Sequence, residues 1–174
     1  MSWLAFAIVA ALTLAAQSTV APRLEIGPAR PEWTLVIVVF YALHAPRREA
    51  LIAAWILGAA ADLLTIERYG VLSFSYLLAA GAVVLVREAL VRADSLAHVG
   101  VTFAVVGLIQ AAWLAYASLA HAAVGGFTGA AIAACLFSAA YTSLWALVID
   151  RVLLASWRAL GLPRGAATHR VPTS

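Results

Sequence analysis

Lysine and asparagine are missing from this sequence altogether, and acids are few: eight Asp and Glu stand against eleven arginines, which supply all of the fixed positive charge. Lysine and asparagine codons are AT-rich, so their joint absence reads as the mark of a GC-rich genome and carries no mechanism. The net charge of +3 is small and spread over several segments. That argues against nucleic-acid binding, which needs basic residues gathered on one face. A single cysteine, Cys135, excludes an intramolecular disulfide. It stands in an apolar run without ligand-type neighbours, so it reads as a packing residue and not as part of a metal site. Equally missing are a phosphate-binding glycine loop, a nucleophile beside a base, a close pair of acids and a metal-ligand cluster. The expectation is a protein that is not an enzyme and uses no cofactor.

What is present is hydrocarbon. Of the 174 residues 65% are hydrophobic and 11% charged, and the mean hydropathy is +0.99. Soluble domains average about 45–50% apolar and about 25% charged residues. The chain therefore reads as an all-α integral membrane protein, with room for six short spans, or five.

The apolar runs place the spans at about 3–21, 32–45, 50–66, 71–90, 99–121 and 127–150. Residues 1–156 form the membrane domain and 157–174 a basic cytoplasmic tail. The first run could be a signal peptide, but Met1-Ser2 brings no positive charge. Its 19 residues reach about 28 Å as a helix, so it reads as a retained span. The second run lies between Pro31 and Pro46 and is short for a bilayer. It has no polar face, as an interfacial helix would need, and so reads as a span. Arginine placement gives the orientation. With six spans, Arg47, Arg48, Arg87, Arg92, Arg151, Arg158, Arg164 and Arg170 share one side, and Arg23, Arg30 and Arg68 the other. Both termini are then cytoplasmic. With five spans, Arg68 alone is outside and the N-terminus is external.

The stretch Gly58-Ala59-Ala60-Ala61-Asp62-Leu63-Leu64 followed by Gly70 holds an acid, Asp62, near the outer end of a hydrocarbon-length segment. A carboxylate there is costly, and the C-terminal end of a helix disfavours an anion. A partner is expected, and Arg68 is the nearest cation. The reading is a structural pair in preference to a proton or substrate site, since no second acid or histidine joins it. Small residues recur at four-residue spacing at Ala54 and Gly58, and at Gly125, Gly129 and Ala133, where close helix packing is expected. Gln110, in the middle of an apolar run, is expected to make an interhelical hydrogen bond. Arg47 and Arg48 read as positive-inside charges, with anionic lipid or a cytoplasmic partner as the alternative.

Several of these features share one order. A first span is followed by Pro31-Glu32 opening the second, a basic turn Pro46-Arg47-Arg48, and a third span ending Gly58-x-x-x-Asp62-Leu63-Leu64 before Gly70. In this the sequence resembles the MreD family of rod shape-determining membrane proteins. The loop Ile66-Glu67-Arg68-Tyr69 departs from the Gly-Pro or Gly-Gly usual there. The resemblance implies a non-enzymatic scaffold of the cell-elongation machinery in a bacterial inner membrane. Its implied partners are MreC first, then MreB, RodA and an elongation-specific penicillin-binding protein. The implied fold is similar to that of energy-coupling-factor transporter S-components. Glu32, Arg47, Arg48, Gly58, Asp62, Arg68 and Gly70 are the candidate structural or partner contacts. A substrate-binding subunit of a vitamin-type uptake transporter is the alternative; it would need a pocket of convergent polar groups.

Overall fold

A computed structural model describes residues 2–27, 29, 31–64, 70–90, 95–120 and 129–156; the side chains at 88–90, 95–99 and 113–120 fall outside the description. Arg68, the Gly125-Gly126 turn and the tail 157–174 lie outside the described residues. Among those described, six α-helices follow one another: α1 (Trp3–Thr19), α2 (Trp33–His44), α3 (Arg47–Leu64), α4 (Val71–Leu90), α5 (Ser95–Ala120) and α6 (Gly129–Ala155). A 3₁₀ turn at Ala21–Leu24 follows α1.

The helix starts follow local chemistry. Proline suits a helix start because its missing N–H is not needed there, and Pro31 and Pro46 precede α2 and α3. The Pro46 carbonyl accepts the Ala50 N–H at 2.9 Å. Arg47, Arg48 and Glu49 are therefore the first turn of α3, where a charged turn and a helix starting at Ala50 were expected. Glu49 in that turn meets the positive end of the helix dipole. Some hydroxyls on the apolar helices are satisfied within their own helix: Thr13 donates to the Val9 carbonyl at 2.7 Å and Ser75 to that of Val71 at 2.8 Å. Such back-bonding lets Ser and Thr sit where water is absent.

The centre of the molecule is α2. Every residue from Trp33 to Leu43 is buried, and α1, α3, α4, α5 and α6 all pack against it. The missing polar face of this run thus reflects protein on every side. Twelve residues reach only about 18 Å, so α2 is a short central strut.

Contacts at its two ends fix the helix directions. Gln17 of α1 bonds at Pro31 and Trp33, whereas Phe6 packs edge-on to Tyr41 with centroids 5.2 Å apart. These two helices are antiparallel. Helices α3 and α4 meet at Asp62 and Ser73 at one end, while Arg87 reaches the carbonyl of Ala45, just before α3, at the other. Glu32 touches Thr142 and Trp33 packs on Trp145 at the start of α2, and Leu153, further along α6, still lies in the core, so α6 runs on in the direction of α2. The start of α1, the Arg47-Arg48 turn, Arg87 and Arg151 consequently share one end of the bundle.

The surface inverts the pattern of a water-soluble domain. Ala and Val dominate the interior between the outer helices, and large apolar side chains point outward, with Leu63 77% and Leu4 76% exposed. A continuous apolar surface of this kind suits hydrocarbon and not water. By length and composition α6 qualifies as a membrane-crossing helix among the described residues. Trp3–Thr19, Trp33–His44, Val71–Arg87 and Gly100–Ala112 are shorter apolar helices.

Candidate functional site

The acid singled out in the sequence sits at the junction of α3 and α4. Asp62 is 4% exposed, and its carboxylate closes the open end of α4. Oδ1 accepts the Leu72 N–H at 3.0 Å, and Oδ2 accepts the Ser73 N–H at 2.9 Å together with the Ser73 hydroxyl. The first N–H groups of a helix have no partner inside it, and the dipole there favours an anion. The end of α3 disfavours the charge, but the start of α4 supplies what it needs. The start of α4, through two backbone N–H groups and the Ser73 hydroxyl, is the described partner; the expected pairing with Arg68 falls outside the described residues.

One turn before Asp62, Gly58 makes that reach possible. A Cβ at Gly58 would lie 2.4 Å from Ser73 Cα, 2.9 Å from its N and 3.0 Å from the Leu72 carbonyl oxygen. Positions four apart share a helix face, so Gly58 and Asp62 address the same two residues, one by closeness and the other by hydrogen bonds. Gly70 precedes α4 with φ +94, a conformation that side chains with a Cβ rarely adopt. Gly58, Asp62 and Gly70 thus form one device, in which α4 is launched, aligned and capped from α3. Ala54 continues the buried face of α3, as the small-residue spacing predicts. Gly129 and Ala133 are instead exposed.

The ends of α2 are held in a similar way. Gln17 Nε2 donates to the Pro31 carbonyl at 3.0 Å, and Gln17 Oε1 accepts the Trp33 N–H at 2.9 Å. The Glu32 N–H donates to Thr142 Oγ1 at 3.2 Å. Glu32 itself is half-buried and makes no side-chain cap of its own helix. Further along, the Tyr76 and Thr34 side chains are hydrogen-bonded. At the other end, Arg87 Nη1 donates to the Ala45 carbonyl at 2.7 Å. A cation at the C-terminal end of a helix is favourable on both hydrogen-bond and dipole grounds. Arg47 and Arg48 are exposed at that same end. Gln110 Nε2 donates to Ser138 Oγ at 2.9 Å, which is the interhelical bond its position in α5 predicts.

These polar side chains bind helices to one another, which is what a rigid membrane bundle requires. A model of the family described as rod shape-determining protein MreD matches residues 1–154. The chain belongs to the MreD family. Membership gives it a role in rod shape determination as a shape-determining membrane protein, in a family of structural proteins and not of enzymes. Comparison with curated proteins found no match, and comparison with solved structures found none either. For an MreD-family chain, the described residues between Pro31 and Gly70 hold polar contacts at helix ends that join α2, α3 and α4 to their neighbours. Gln17, Thr142 and Arg87 complete those contacts. The sequence signal for Gln17 was available, since it is one of only two glutamines and interrupts an apolar run.

Proposed function

We propose that this MreD-family chain is a non-enzymatic scaffold that spans the inner membrane six times. It docks MreC and links the cytoskeletal MreB with the wall-synthesis proteins RodA and an elongation-specific penicillin-binding protein. The observation that carries this reading is the division of labour among side chains. The described polar groups hold helices together, at Asp62, Gln17, Thr142, Arg87 and Gln110. The outward surface is apolar. What such a molecule offers is surface in the plane of the bilayer, and partner docking is what that surface can do.

The shared end of Arg47, Arg48, Arg87 and Arg151 supports a cytoplasmic placement for that end. Because α1 also begins there, the N-terminus is cytoplasmic. A reporter fused to the N-terminus is expected to give a cytoplasmic signal; an external signal would exclude six spans. Depletion of the protein in a rod-shaped host is expected to round the cells within a few generations. Unchanged shape with loss of uptake of a vitamin would overturn the scaffold reading.

A further inference from the structure

We infer that the outer face shared by α3 and α4 docks one transmembrane helix of a different protein, with the Trp55 indole N–H donating to an acceptor on that helix. The inference rests on the scaffold reading above and names the face that it uses. Trp55 is 56% exposed. It lies eight residues after Arg47 and nine before Leu64, so about 12 Å and about 14 Å along the helix axis from the two ends of α3. Both distances put it within the hydrocarbon. Tryptophan ordinarily keeps to the membrane interfaces, where its N–H finds water or headgroups. Lipid tails offer no acceptor, and a polar group left without one in hydrocarbon is costly.

Among the described residues, the side chains on this flank supply no acceptor either. Counting about 100° per residue from Gly58, which meets Ser73, Trp55 lies about 60° round α3. Ile52 follows on the same flank. In an antiparallel pair the same sense of rotation from Ser73 leads to the same side on α4, where Phe74, Leu78 and Gly81 come. Ile52, Phe74 and Leu78 are exposed, and none carries a polar side-chain atom. Gly81 adds a notch to this face. A Cβ there would meet nothing within 4 Å, so packing inside the chain does not ask for a glycine. In mid-helix glycine costs about 1 kcal/mol against alanine. A glycine facing open space in a membrane helix admits the backbone of a neighbouring helix.

The occupant is a different chain. A two-fold contact presents the same face on both copies, so a second copy would set one indole donor against another among apolar neighbours. The fitting partner is a single helix with a hydroxyl, amide or freed carbonyl acceptor at mid-membrane.

The test uses the full chain co-expressed with MreC. A photocrosslinking phenylalanine derivative replaces Ile52 or Leu78, or, on other exposed faces, Leu12 or Leu147. Crosslinks to the MreC span are expected from positions 52 and 78 and not from 12 or 147. Gly81→Leu is expected to lower the MreC recovered with the chain about tenfold, and Trp55→Phe, which loses only the N–H, about three-fold. The thermal midpoint of the chain alone should not fall in either variant, because neither site is packed, and Gly81→Leu should raise it slightly by replacing a mid-helix glycine. Crosslinks from 52 and 78 to lipid only, or to a second copy, overturn the inference and leave the scaffold reading standing. So do MreC contacts from 12 or 147 alone. Failure of MreC to co-purify with the unaltered chain overturns the scaffold reading, and this inference with it.

Discussion

Asp62→Ala is expected to lower the stability of the bundle by about 2–4 kcal/mol, with a matching fall in the amount of folded protein in the membrane. Two terms make up that figure. Removing a carboxylate cap from a helix start costs about 1 kcal/mol, within a range of 0.5–2. Leaving buried donors without an acceptor adds about 1–3 kcal/mol. Here the donors are the Leu72 and Ser73 N–H groups and the Ser73 hydroxyl. Water cannot replace the lost oxygens cheaply, since the site is buried within the α3–α4 contact. Asp62→Asn keeps one acceptor oxygen and the side chain's size, and its amide can turn toward the Ser73 hydroxyl; about half the loss is expected. Ser73→Ala removes one bond and leaves the backbone cap intact, so about 1 kcal/mol is expected. The order Ala, then Asn, then the Ser73 variant is the measurable signature of a cap. Thermal midpoints in detergent and membrane abundance would check it. Normal abundance of Asp62→Ala together with lost rod shape would instead make Asp62 a contact for a partner.

Asp62 also marks the limit of what the sequence discloses. A buried acid announces that it needs a partner, and the nearest cation is the natural candidate. Two of the three partners described here are backbone N–H groups, which every residue but proline carries, and the third is a common serine hydroxyl, so residue type cannot single them out. Gly58 and Gly70 were legible as places for closeness and reversal, because glycine is costly elsewhere in a helix. Gln110 was legible because one amide in an apolar run needs another helix. The fold class followed from hydropathy for the same reason: long apolar runs have few ways to satisfy their backbone in lipid except as helices. The role of α2 did not follow. An apolar run surrounded by lipid and one surrounded by protein look alike, and only the short reach between Pro31 and Pro46 hinted at the difference. Arg87 was counted as one more cytoplasmic charge, whereas its guanidinium holds the end of α2 at the Ala45 carbonyl. Charge counts assign a side of the membrane but not a contact.

Gly58→Ala is expected to be at least as damaging as the loss of Asp62, although it adds a single methyl group. The new Cβ would stand 2.4 Å from Ser73 Cα, against the about 3.5–4.0 Å of an ordinary carbon contact. The obstacle is backbone on both sides, so no side chain can swing away. Relief requires α3 and α4 to part by about 1 Å. Overpacking of this kind costs about 1–3 kcal/mol, and more where the neighbour cannot yield. Parting the helices also draws the Leu72 and Ser73 N–H groups away from Asp62, so the substitution weakens the cap as well. The two residues are therefore coupled. Asp62→Ala combined with Gly58→Ala should cost less than the sum of the single losses, by about 1 kcal/mol or more. Gly107→Ala is the control: its Cβ would meet only Ala139 Cβ at 3.9 Å, and alanine favours a helix over glycine by about 0.5–1 kcal/mol. That variant should be neutral or slightly more stable in the same thermal measurement. Equal, mild effects at Gly58 and Gly107 would mean that α4 is not seated on α3 at this point, and the cap would then need another explanation. Additive losses at Gly58 and Asp62 would separate close approach from capping, which the shared contact with Ser73 makes a single act.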